Sequence, residues 1–103
     1  MITETVYLKH DNVNSIELRA NGTAQAIDSC TRMKIKVGDK LIDSNLTSNV
    51  FDWTTYGASG QLDLTLGFQS LRKGMQRATL IIYDATYPRG MVWCDLMIDV
   101  KEV

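Results

Sequence analysis

A chain of 103 residues is long enough to bury one hydrophobic core and too short for two, so residues 1–103 are read as a single domain. An apolar content of 45% excludes intrinsic disorder, and a formal charge of -1, with acids and bases mixed along the sequence, offers no field to hold nucleic acid or an anionic membrane. No apolar run approaches the length that spans a bilayer, and MITETVYLKH has neither the basic segment nor the apolar stretch of a secretory signal, which places the chain in a cytoplasm.

In chain order, residues 3–9 (TETVYLK) alternate as a first strand, with Val6 and Leu8 on one face and Tyr7 on the other, and His10-Asp11-Asn12 breaks it. Residues 15–20 set Ile16 and Leu18 against Glu17 and Arg19, a half-buried strand ended by Asn21-Gly22, the strongest short turn signal in the chain. A short strand over 24–26 and a turn at Asp28-Ser29 follow. Residues 30–37 (CTRMKIKV) carry the cleanest alternation, with Met33, Ile35 and Val37 inward and Arg32, Lys34 and Lys36 toward solvent. Gly38-Asp39 closes a hairpin into 40–43, and 44–49 is a polar loop. Residues 50–55, with Val50, Phe51 and Trp53, form a short strand or an aromatic corner, and 56–60 is a turn. Residues 61–66 (QLDLTL) place Leu62, Leu64 and Leu66 inside, and 67–74 is a connection or one helical turn.

The last part of the chain, LIIYDATYPRGMVWCDLMIDVKEV, reads as a hairpin of residues 80–83 and 91–100 around a turn at 84–90. Pro88 presets φ for that turn and costs no ladder hydrogen bond there, while Gly90 accepts the positive φ of a tight reversal. Strict alternation puts Val92, Cys94, Leu96, Ile98 and Val100 on the core face, and Trp93, Asp95, Met97, Asp99 and Lys101 on the outer face. On the first strand both faces are apolar, so either Leu80 and Ile82 or Ile81 and Tyr83 point inward. Strands at short, even spacing with no long helical period predict an all-β fold, an antiparallel two-sheet β-sandwich with this hairpin central in one sheet.

Few residues suggest chemistry. His10 beside Asp11 has no nucleophile within reach, and a turn explains the pair. Two cysteines and one histidine do not make a zinc site, and Asp84, Asp95 and Asp99 lack the loop carbonyls that calcium needs. Asn21-Gly22-Thr23 and Asn45-Leu46-Thr47 match the glycosylation pattern, but turn chemistry accounts for both. Cys30 and Cys94 are expected as reduced, buried thiols. Without a nucleophile and base constellation, the chain is read as no enzyme. The surplus of apolar side chains on the outer face of the last hairpin (Trp93 and Met97 with Ile81 and Tyr83) is the candidate protein-interaction surface, unless residues 67–74 with Phe68 and Leu71 cover it. As an alternative, Trp53 and Tyr56 beside a Gly-rich turn suit a sugar-stacking platform of a carbohydrate-binding module, against the plainer role of Trp53 as a core plug.

The segment GMQRATLIIYDATYPRGMVWCDLMIDV, preceded by QLDLTLG, resembles small immunoglobulin-like sandwich proteins of tailed bacteriophages and prophages, and is similar to the N-terminal domains of phage baseplate upper proteins and related neck and tail accessory proteins. Gly74, Leu80, Tyr83, Asp84, Pro88, Gly90, Val92 and Trp93 carry the resemblance. It implies an immunoglobulin-like fold, no enzymatic activity, no cofactor and a place in a virion, made in a bacterial host cytoplasm. Its implied partners are other virion proteins or copies of the chain itself, with no nucleic acid and no membrane. The chain stops just after the last strand, which favours a stand-alone virion or assembly component over a receptor-binding protein.

Overall fold

The computed structural model describes residues 2–103. Ten strands are found among them: β1 (Thr3–Tyr7), β2 (Asn14–Glu17), β3 (Arg19–Ala20), β4 (Thr23–Ala24), β5 (Arg32–Val37), β6 (Lys40–Asp43), β7 (Phe51–Asp52), β8 (Gln61–Leu64), β9 (Gly74–Tyr83) and β10 (Met91–Lys101). Two single-turn 3-10 helices, Ser48–Val50 and Gly57–Ser59, are the only helical segments described. The domain is all-β.

The largest sheet has the order β1-β10-β9-β5-β6, a second has β2-β8-β7, and β3-β4 is a small separate ribbon. The final hairpin is therefore central in the large sheet, as its composition predicts. One core joins the two larger sheets. Val6, Met33, Ile35, Val37, Ile42, Ala78, Leu80, Ile82, Leu96, Ile98 and Val100 enter it from the large sheet, and Ile16, Phe51, Leu62 and Leu64 from the smaller one. Strands β5 and β8 follow the expected alternation because each has one wet face, so period-two patterning reports burial directly. The open register of the last hairpin resolves in favour of Leu80 and Ile82 inside.

The structure corrects four expectations. The large sheet is mixed, not antiparallel, since β1 runs parallel to β10 with Val6 opposite Val100. Antiparallel order follows from short hairpin loops, and no such loop joins these two strands. The strand expected over 15–20 divides at Leu18, where β2 pairs with β8 and β3 pairs with β4. Leu18, which is buried, donates its N–H to Gly60 O and accepts from Gln25 N, so its backbone groups leave the β2 ladder. Strand β9 begins at Gly74, well before residue 80, because residues 74–79 pair with β10, and only Ala78 and Thr79 of them also pair with β5.

The fourth correction is a β-bulge. Val92 pairs with Ile81 but Cys94 pairs with Leu80, which leaves Trp93 as the extra residue. An extra residue breaks the alternation on one side of it. Leu96, Ile98 and Val100 are buried as expected, but Val92 is turned outward and 64% exposed, while Met91 and Trp93 pack against the core.

The turn at 84–90 is as its residues predict. Gly90 has φ +87, and a side chain there would press within 2.7 Å of the Tyr83 ring. Asn21 and Gly22 both have positive φ, the backbone of the two-residue hairpin turn that joins β3 to β4.

Candidate functional site

The outer face of the large sheet carries three of the four residues proposed for an interaction surface. Ile81 and Tyr83 project from β9, and Met97 from β10, each half-buried by its neighbours. Trp93 is not with them, because the bulge seats it against the core. Val92 takes the outer position instead, paired with Ile81. Beyond Met97, Met75 is 56% exposed.

The surface is not one apolar patch. Between the Val92–Ile81 pair and Met97 lies a polar row in which Thr79 Oγ1 donates to Asp95 Oδ1 at 2.8 Å and Arg77 Nη2 donates to Asp95 Oδ2 at 2.9 Å. The Thr79 hydroxyl, followed by Arg77, holds the Asp95 carboxyl below its ordinary range. At the other end of the face, the Arg32 guanidinium and the Lys34 ammonium both stand over the Tyr83 ring, 5.1 and 5.5 Å from its centre. Of the two apolar side chains that residues 67–74 offer as a cover, Leu71 is buried in the core and Phe68 is left 62% exposed.

Arg32 also makes a two-pronged pair with Asp43, whose Oδ1 accepts from Nε at 2.9 Å while Oδ2 accepts from Nη2. That pair, ahead of the Asn45 N–H, brings the Asp43 carboxyl down to about 2. The folded value lies below the unfolded one, so this contribution to stability is complete above the ordinary carboxylate range and is lost as pH falls. The urea midpoint of the protein is expected to fall as pH drops from about 4 to about 2, and Asp43→Asn should flatten that stretch of the curve. A variant with the wild-type slope would remove Asp43 as its source.

Trp53 and Tyr56 sit in different environments. Trp53 is half-buried against the core, donates its indole N–H to Cys30 O at 2.9 Å, and meets Phe51 edge-on with ring centres 6.5 Å apart. Tyr56 is 54% exposed and starts the turn into the second 3-10 helix. Cys30 and Cys94 are free thiols, half-buried where full burial was expected. Burial is the main cause that raises both thiols above their ordinary range, with Asp84 and Asp28 adding to it at Cys30 and Asp95 at Cys94. His10 is exposed in the turn after β1. Among the described residues no group of three or more His, Cys, Asp or Glu side chains is placed to hold a metal ion. No described helix is long and apolar enough to cross a membrane.

Sequence reasoning missed a basic cleft at the end of the large sheet's outer face. It has a volume of about 610 Å3, and its lining includes Lys36, Arg72, Lys73 and Arg77 together with Asp39 and Met75. Arg72, Lys73 and Arg77 fall in one short run of the chain that contains no acid, while Lys36 lies far from it in sequence. Only the β5–β9 register, with Lys36 opposite Thr79, and the β5–β6 turn bring them together.

What this geometry defines is a class: an all-β domain whose larger sheet presents a mixed apolar and cationic outer face. Compared with known proteins, the chain matches no family model, and no curated protein matches it.

Proposed function

We propose that this chain is a non-enzymatic docking domain of a tailed-phage or prophage virion, in the neck, tail or baseplate, folded as an immunoglobulin-like sandwich. One observation carries the docking part: the outer face of the large sheet keeps Val92 and Met75 exposed on the same face as the half-buried Ile81, Tyr83 and Met97. Exposed apolar side chains on one sheet face, interleaved with charged and polar groups, suit a mixed protein interface. The virion part rests on the resemblance of residues 61–67 and 74–100 to phage sandwich proteins.

The alternative, a carbohydrate-binding module stacking sugars on Trp53 and Tyr56, has less behind it. The Trp53 N–H is already engaged, and its ring is wedged against Phe51 and the core.

The test is the protein content of particles induced from cells that carry this gene. The chain is expected in purified particles by mass spectrometry. Val92→Asp, a change at an exposed site that leaves the core alone, is expected to lower its incorporation at least about tenfold, the size of a lost interface contact of ~1.4 kcal/mol. Particles that assemble without the chain, or incorporate the variant at the wild-type level, would overturn the reading.

A further inference from the structure

Acids and bases are mixed along the sequence, but two clusters of opposite sign lie on different faces of the fold. On the large sheet's outer face, the cleft of Lys36, Arg72, Lys73 and Arg77 is open to solvent. Three of these cations have one carboxylate each: Arg72 with Asp39 at 3.2 Å, Lys73 with Glu102 at 3.9 Å and Arg77 with Asp95 at 2.9 Å. All three pairs are exposed and so hold the cations only weakly. Lys36 has no carboxylate partner among the described residues.

The outer face of the smaller sheet is the opposite. Asp52 on β7 and Asp63 on β8 are directly paired in register, two like charges side by side. Such a pair is unfavourable within a sheet. Their inward neighbours Phe51, Leu62 and Leu64 fix both carboxylates on the side away from the core. Neither meets a cation among the described residues. Asp63 accepts from Ser15 Oγ at 2.7 Å and from Gln61 Nε2 at 2.9 Å. Asp52 accepts from the Thr55 hydroxyl at 2.7 Å and from the N–H groups of Thr54 and Thr55 at 3.1 Å. Neutral donors hold these carboxylates in place and leave their charge uncompensated. Thr55 above all keeps the Asp52 carboxyl below its ordinary range, so it is ionised at neutral pH.

We infer that copies of this chain associate head to tail, the cationic cleft of one receiving the Asp52 and Asp63 edge of the next. The two surfaces lie on opposite outer faces of the domain, so the contact is heterologous and repeats, closing into a ring or extending as a filament. At the turn that borders the cleft, the Gly38 N–H is not free for a phosphate, since it donates to Arg77 O at 3.0 Å. Its long, exposed cationic side chains suit carboxylates presented by another protein surface. The inference rests on the docking reading and supplies its partner.

Sedimentation velocity across a concentration series tests it. At about 0.01 M salt the average mass of the wild type is expected to rise with protein concentration, and at about 0.5 M salt the association should weaken by about tenfold or more. Lys36→Glu with Arg72→Glu reverses the cleft, and Asp63→Lys reverses the edge. Each variant alone should remain monomeric. An equimolar mixture should associate again, because one chain keeps the cationic cleft and the other keeps the acidic edge. Should Asp63→Lys fail to fold, Asp63→Asn replaces it, with the same loss expected alone. A wild type that stays monomeric at millimolar concentration and low salt overturns the inference, as does either variant associating like the wild type, or a mixture that stays monomeric. If a short polyglutamate peptide then shifts the Lys36 and Arg77 amide resonances of the monomer, the docking reading survives with a different acidic partner. Binding of a single-stranded DNA oligonucleotide at the same resonances, without the peptide, would overturn both.

Discussion

Replacing Gly67 by alanine is expected to destabilise the protein by about 3 kcal/mol or more, the upper range for overpacking a rigid site. The expectation follows from backbone meeting backbone. A Cβ at residue 67 would overlap the His10 carbonyl oxygen and lie 2.7 Å from that of Tyr7. Neither atom belongs to a side chain that can rotate away. The turn that carries them is itself constrained: Lys9 has φ +65, a conformation few side chains favour, and donates its N–H to Gly67 O at 2.7 Å. Alanine therefore has to break that hydrogen bond or lift the end of β1 from the segment after β8. Urea denaturation of the purified variant measures the effect. An unchanged midpoint would mean that the two segments do not approach this closely.

The second large effect concerns Trp93. Its place in the bulge, packed against the core beside Met91 and Cys94, makes it part of the fold, not of the outer surface. Truncating a fully buried tryptophan costs roughly 3–5 kcal/mol, so for a half-buried one Trp93→Ala is expected to cost about 2 kcal/mol of stability. Its sedimentation at low salt should match that of the wild type at conditions where both are folded. A variant that keeps the wild-type urea midpoint but loses association would place the indole at an interface and refute the bulge geometry.

That contrast shows how far the sequence carries. Met33, Ile35 and Val37 on β5, and Leu62 and Leu64 on β8, are legible because alternation records a wet face and a dry one, and the structure buries all five. Ile81, Tyr83 and Met97 are legible on the outer face once the inward set of β9 is known. Trp93 is not, since alternation counts residues whereas a bulge changes how many residues face one partner. The first half of β9 is hidden for a different reason. Met75, Gln76 and Arg77 show no apolar period, and their extended form comes from pairing with Asp99, Ile98 and Met97. The cationic cleft is the least visible of all, because Lys36 and Arg77 become neighbours only after β5 and β9 have taken their register.

The parallel pairing of β1 with β10 also constrains how the chain reaches its fold. During synthesis β1 emerges early, while the strand that completes its hydrogen bonds is made late. Until then the edge that later binds β10 from Thr3↔Met97 to Tyr7↔Lys101 offers unpaired N–H and C=O groups. Closing so long an intervening loop has a large entropic cost and little early return, which places the domain among slow-folding topologies. Until β10 emerges the nascent chain thus carries an open strand edge, which in that interval is exposed to pairing with the wrong strand.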